Sequence, residues 1–164
     1  MSAFACRIAR AADELAAYWD LRRAIFCEEQ GVFAGHDHDE HDAVAHPIVC
    51  VDERARVVGV VRIWEAAPGH WWGGRLGVHR EFRTAGGVGR QLVQRAVGTA
   101  RGWGARQFRA TVQRANVAFF RRLHWRSLEA LELHGRSHHL MEADLARYPA
   151  VAEPRKGEPA DEAA

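Results

Sequence analysis

The stretch EFRTAGGVGRQLVQRAV, residues 81–97, places three glycines within four positions, Gly86, Gly87 and Gly89, directly ahead of an apolar run at helical spacing. Glycine accepts positive φ and lets a ligand approach the main chain, at a cost of roughly 0.5–1 kcal/mol per residue in backbone entropy. Three of them where a helix begins point to a backbone that has to stay bare. The first amides of a helix have no intrahelical acceptor and sit at the positive end of its dipole, so the segment reads as a seat for a diphosphate. It lacks the Lys-Ser/Thr of the nucleotide-triphosphate loop and the third glycine of the dinucleotide fingerprint, so neither of those loops fits.

Outward from the loop, WWGGRLGVH before it reads as a strand and QLVQRAVGTARGWG after it as a helix. ARQFRATVQ follows with Phe108, Ala110 and Val112 alternating onto one face of a strand. Asn116 begins a short helix, NVAFFRRLH, and SLEALELHG and HHLMEADL are two closing strands. Upstream, ACRIARA is a first strand, and Asp13 is expected to cap a helix whose Leu15, Tyr18, Trp19, Arg22, Ile25 and Phe26 recur at helical spacing until Gln30-Gly31. FAGHDHDEHDAVA is a polar loop, and HPIVCVD and VVGVVRIW form a hairpin about the turn DERAR. The order β-α-β-β-β-α-β-α-β-β predicts an α/β architecture: a mixed sheet of about seven strands with about four helices on its two faces.

A chain of 164 residues with 48% hydrophobic content is long enough for one well-buried domain and short for two. Residues 1–149 are therefore expected to form a single domain, and the Pro, Glu and Ala of residues 150–164 a disordered tail. No apolar run approaches bilayer length and the N-terminus lacks the apolar core of a secretory signal, which predicts a cytoplasmic protein with no membrane partner. Cys6, Cys27 and Cys50 are odd in number and form no CxxC, so they read as buried or idle thiols. In GHDHDEHD, His36, His38 and His41 alternate with carboxylates, but without HExxH or a cysteine partner no metal is expected. Residues 1–50 hold four arginines against nine carboxylates, whereas residues 75–126 hold twelve arginines against Glu81 alone. The basic middle suits an anionic cofactor; its arginines show neither an RNA-binding aromatic motif nor a helix-turn-helix pattern, which argues against nucleic acid.

RLGVHREFRTAGGVGRQLV resembles the signature of the GNAT superfamily of N-acetyltransferases, a strand of L-A-V type leading into R/Q-x-x-G-x-G/A and a helix. Placing Gly87-Val88-Gly89 on G-x-G puts Thr84 where Arg or Gln is usual, whereas Arg83 in that role puts Val88 where Gly or Ala is usual. The loop is one residue longer than the common form, and its amides are assigned as a group. The resemblance implies that acetyl-CoA binds along Leu76, Gly77 and Val78 of the strand and across Arg83, Thr84, Ala85, Gly86, Gly87, Val88, Gly89 and Arg90. NVAFFRRLHW resembles the superfamily's N-x-x-A-x-x-F-Y-E-K-L-G-F, which implies that Asn116 orders the pantetheine and puts Phe120 where a thiol-protonating tyrosine is usual. LRRAIFCEEQGVF and DEHDAVAHPIVCV resemble a branch reading L-R-x-x-V-F-x-x-E-Q-G, D-x-x-D and A-x-H, and are similar to the acyl-homoserine-lactone synthases. HGRSHHLMEADL resembles that branch's G-x-x-H-x-x-M with His138 at the histidine, and a bacterial group associated with nitrogen starvation is a further resemblance. Together these segments span residues 7–148.

Acetyl transfer to an amine needs a proton acceptor, because an alkylammonium of pKa about 10.4 is neutral in roughly one molecule per thousand at pH 7. Glu29 and His138 are the candidate bases. Set against this, Glu29 reads equally as a solvated helix-end residue and His138 as a strand histidine bonded to a carbonyl. The amide of Val78 is placed to stabilise charge on the thioester oxygen. The leaving thiol, with pKa near 8.5 on the cysteine scale, is the easier group to protonate, so water can stand in for the absent tyrosine. The acidic first third is expected to face the cleft and attract a cationic amine. Of the six tryptophans, Trp71 and Trp72 read as core or dimer packing in preference to an acceptor pocket, which leaves a homodimer open. The expected activity is acetyl-CoA-dependent N-acetylation of a small amine. The alternatives are an acyltransferase resembling the lactone synthases and a weakly catalytic acyl-CoA-binding regulatory module.

Overall fold

Runs of valine and isoleucine bounded by turn residues build the first half of a seven-stranded mixed sheet, ordered β1-β2-β3-β4-β5-β7-β6 in the computed structural model, which describes residues 3–84 and 86–155. Strands β1 (Ala5–Ile8), β2 (His46–Val51), β3 (Val57–Ala67) and β4 (His70–Val78) form an antiparallel meander. Strand β5 (Gln107–Gln113) lies parallel to β4, and β7 (Arg136–Ala143) pairs antiparallel with both β5 and β6 (Trp125–Leu133). The element order is the one expected from the sequence.

Each face of the sheet carries its own core. Helix α1 (Ala12–Arg22) and the residues after it bring Tyr18, Leu21, Ile25 and Phe26 onto Val49, Val51 and Val60. Helix α2 (Val88–Gly102) brings Val88, Leu92, Ala96 and Val97 onto Ile48, Val58, Ile63 and Phe108. Burying one such side chain contributes roughly 1.5–3 kcal/mol, so these two layers dominate the stability. Helix α3 (Val117–Arg122) closes the second core with Val117 and Phe120.

Three details depart from expectation. Asp13 does not cap α1: the extended Ala11 holds that position, and Asp13 lies in the first turn, where its carboxylate still meets the positive end of the helix and accepts from the Glu14 amide at 2.9 Å. Among the described residues there are three α-helices, close to the four or so expected, and the first of them does not run on as an α-helix to Gln30: beyond Arg22 the chain continues as a π-helix over Arg23–Glu29, closed by Gln30 N donating to Ile25 O at 2.9 Å. Finally, residues 150–155 are docked against α2. Val151 N donates to Gly98 O, and the Glu153 carboxylate takes Arg10 and Arg95 at 3.0 Å each. Trp103 Nε1 also donates to Glu153 O. Composition hid these anchors because one valine and one glutamate supply them. Residues 156–164 of the expected tail lie outside the described residues. Among the described residues, no helix is long and apolar enough to cross a membrane.

Candidate active site

The site begins where two parallel strands part. Strands β4 and β5 pair only at His70–Gln107, Trp71–Phe108 and Trp72–Arg109; beyond Trp72 the edge of β4 turns away from β5. Opposite, on the β3 side, a bulge sets the three-residue step Gly74 to Gly77 against the two-residue step Val60 to Arg62. Arg75, in the bulge, takes φ 53°. Such a bulge sharpens local twist and re-aims side chains, here at the opening between β4 and β5.

The amides of β4 follow from the register. His79 N donates to Val58 O at 2.8 Å, so Val78, paired with Gly59, belongs to the non-hydrogen-bonded kind of pair and its N–H points away from β3 into the gap. The Val78 carbonyl accepts from Arg83 Nε at 3.0 Å. Gly77 lies where a Cβ would stand 2.7 Å from Ile25 Cδ1, so its bareness lets the π-helix close onto β4.

The glycine loop uses the left-handed backbone that glycine permits. Gly86 and Gly87 have φ of 60° and 65°, and Gly87 is the left-handed residue that starts α2 without any side-chain cap. The first bond of the helix is Gln91 N to Gly87 O at 3.0 Å, which leaves the amides of Val88, Gly89 and Arg90 ahead of the ladder. A Cβ on Gly89 would meet only Phe119 and Val78 at ordinary distances. Thr84 is exposed in the turn, and Ala85 lies outside the described residues.

A cavity of about 500 Å³ fills the gap. Gly73, Gly74, Arg75 and Leu76 of β4 line one side and Thr111, Val112 and Gln113 of β5 the other, and Asn116, Phe120 and His138 also line it; Gly77, Val78 and the described residues of the glycine loop are not among the lining residues. Asn116 occupies the N-cap position of α3 without a side-chain cap bond, which leaves its amide to the cavity. Phe120 is buried edge-on against Trp125 at 5.0 Å. The tryptophan pair divides: Trp71 is core at 0% exposure, whereas Trp72 lines the cavity with its cross-strand partner Trp64, on which His41 stacks at 4.4 Å.

His138, buried on β7, holds its Nδ1 2.9 Å from Arg136 O. A carbonyl can only accept, so Nδ1 is the donor, and in the neutral tautomer this selects, Nε2 is the nitrogen that can accept a proton. Glu29 sits at the end of the π-helix, 2.5 Å from Arg83 Nη1, and is not among the cavity-lining residues. The hydrogen bond from Arg83 holds its carboxyl below the usual range, which makes it the weaker base. The two candidates lie on elements tied together through Gln30, whose side chain accepts from Gln113 Nε2 at 3.0 Å and whose carbonyl accepts from Arg136 at 2.6 Å.

The acidic segment is not a free surface. Arg22, fully buried, binds Asp37 and Asp42 at 2.7 Å each and the Tyr18 hydroxyl at 3.1 Å. Arg62 holds Asp39 at 2.6 Å and Asp42 at 2.9 Å, and Arg75 holds Asp37 at 3.1 Å. Three arginines thus neutralise three aspartates in a network of which Asp39, Arg62 and Arg75 line the cavity, and the expected attraction of a cationic amine by this segment is withdrawn. Burial raises the Asp42 carboxyl, but hydrogen bonds from Arg22 and Arg62 outweigh it and leave the group well below its ordinary value. For Asp39 the same burial is outweighed by Arg62. The motifs around Arg22 and Asp39-x-x-Asp42 were visible in the sequence; Arg62 and Arg75, on distant strands, carried no local signal. Among the described residues, no group of three or more His, Cys, Asp or Glu side chains is arranged to hold a metal ion.

Solved structures share this architecture. A Lactobacillus plantarum protein described as an N-acetyltransferase superposes with a TM-score of 0.78 at 22% identity, over 87% of this chain and 99% of its own. Escherichia coli ElaA gives 0.73 at 22% identity, over 88% of this chain and 100% of its own. The CoA-dependent acyl-homoserine lactone synthase BjaI gives 0.71 at 18% identity, over 88% and 84%. At such identities the likeness concerns the fold. No curated protein sequence matches significantly. Residues 9–125 match the model of the acetyltransferase (GNAT) family. With most of the domain inside that match, and with the parted strands and glycine loop in place, the chain belongs to the GNAT family of acetyltransferases.

Proposed function

We propose that the protein is an acetyl-CoA-dependent N-acetyltransferase acting on a small amine in the cytoplasm. The observation that carries this reading is the cavity between β4 and β5, lined by the His138 imidazole, on a sheet whose strand β4 runs on into a glycine loop with bare helix amides at the start of α2. The fit to an acyl-CoA rests on groups that are present. The amides of Val88, Gly89 and Arg90 and the side chains of Arg83 and Arg90 suit a diphosphate, and the Val78 N–H directed into the gap suits a carbonyl oxygen that gains charge. Asn116 and Phe120, which line the cavity, would flank the arm that joins them.

In this reading His138 Nε2 accepts the proton of the attacking ammonium, directly or through a water, while Arg136 O keeps the ring oriented. Glu29 would act in the same capacity only after release from Arg83. Phe120 offers no hydroxyl, so the leaving thiolate is protonated by water. Apolar lining from Val93, Ala96 and Val97 of α2 favours a second reading, transfer of acyl groups longer than acetyl.

Calorimetry with acetyl-CoA, followed by thiol release across a panel of amines and acyl-CoA chain lengths, tests both. Binding with acetyl-dependent turnover is expected. A protein blind to every acyl-CoA would end the proposal, and faster turnover with hexanoyl than with acetyl donors would replace it by the second reading.

A further inference from the structure

Two cysteines read from sequence as idle face each other across the edge of the sheet. Cys6 on β1 is directly opposite Cys50 on β2, and the register Ala5–Val51 through Ile8–Ile48 has no bulge. Ala9 N donates to Pro47 O at 2.9 Å, which fixes the alternation of that ladder: Arg7–Val49 exchanges hydrogen bonds and Cys6–Cys50 does not. Non-hydrogen-bonded pairs are the closer kind, with Cα atoms about 4.5 Å apart and side chains on one face. A disulfide requires Cα separations of about 4.4–6.8 Å, so this position meets the requirement without backbone movement. Cys50 is buried and Cys6 half-buried, and the two thiols share a hydrogen bond that pushes Cys6 up and Cys50 down. Cys27, on the π-helix, is the third cysteine of the chain.

We propose that Cys6 and Cys50 form a reversible disulfide, a covalent redox site that pins the edge strand carrying Phe4 beneath the glycine loop. With a small disulfide as oxidant, the Cys6 sulfur, the more exposed of the two, gives up its proton to the solvent, attacks one sulfur of the reagent, breaks its S–S bond and releases one thiol. The Cys50 sulfur then attacks the Cys6 sulfur and displaces the second thiol. The protein loses two protons and two electrons, and the reagent leaves as two thiols.

The bond reaches the candidate site through Phe4, two residues before Cys6. Its ring occupies the space that a side chain on Gly86 would need, and it packs edge-on against Phe82 at 6.0 Å. Edge strands and chain ends open locally with little cost, so a link to β2 restrains the strand, Phe4 and the loop together.

The test uses the full chain incubated with glutathione disulfide, quenched in acid, alkylated and digested without reduction. A Cys6–Cys50 cross-linked peptide is expected, with Cys27 alone alkylated. The thermal midpoint should rise by about 8–16 °C, as for closing a loop of this length, and return on adding dithiothreitol. Amide exchange at Phe4, Gly86 and Gly87 should slow in the oxidised form. A Cys27→Ser chain should behave identically, and Cys6→Ser should show none of these changes. Three alkylated cysteines, a stable mixed disulfide on Cys6, or Cys27-linked dimers as the main product would overturn the proposal. Unchanged exchange at Gly86 and Gly87 despite the bond would overturn its link to the loop.

Discussion

Replacing Arg22 by methionine tests the buried ion network directly. The guanidinium is 0% exposed and joins Asp37, Asp42, Tyr18 and the Asp37 carbonyl. Methionine fills much of the same volume but leaves Asp37 with Arg75 as its cation and Asp42 with Arg62 and the Asp39 amide. Removing one partner of a buried pair typically costs about 3–5 kcal/mol, because the remaining charge stays desolvated. For a domain of this size that corresponds to a thermal midpoint lower by roughly 6–20 °C. The loss should depend on pH with a definite sign. Asp42 and Asp39 have folded-state carboxyls below their ordinary values, so their contribution is fully present above the unfolded pKa of about 3.9 and disappears as pH falls through the folded value. The gap between wild type and Arg22→Met should therefore be full at pH 7 and shrink below pH 4. Urea unfolding at pH 7, 5 and 3 measures it. A gap under 1 kcal/mol at pH 7, or one that widens in acid, would refute the assignment of this network as a stabilising wall of the cavity.

Gly89→Glu should abolish acetyl-CoA binding in calorimetry while leaving the thermal midpoint within a few degrees, since a Cβ there meets only Phe119 at 3.4 Å and Val78 at 3.8 Å. His138→Ala should lower turnover by about 10²–10⁴-fold, the usual range for a positioned base, and Glu29→Gln by less than tenfold; equal losses would return Glu29 to the base's role. Phe120→Tyr should change turnover by less than about tenfold, or 1.4 kcal/mol, whereas a hundredfold gain would show that a general acid is missing. Phe120→Ala should weaken acetyl-CoA binding, but it also empties a buried site against Trp125 and destabilises the fold by about 3–5 kcal/mol, so binding must be read well below the midpoint.

The order of elements, the glycine turn and the two apolar faces of the sheet were legible in the sequence because each is a local signal. Period-two and helical spacing, and glycines where φ must be positive, act over a few residues and need no partner to be recognised. The same locality explains the misreadings. The charge of Asp37, Asp39 and Asp42 looked available until Arg22, Arg62 and Arg75, from one helix and two strands, were seen to neutralise it. The pairing of Glu29 with Arg83, 54 positions later in the chain, likewise carried no local signal. Cys6 and Cys50 are 44 positions apart in the chain and become neighbours only through the register of β1 on β2. Sequence determined which segments are helix, strand and glycine turn. Tertiary structure decided the protonation, pairing and exposure of the polar groups, because Coulomb energy and desolvation depend on distances that chain spacing does not encode.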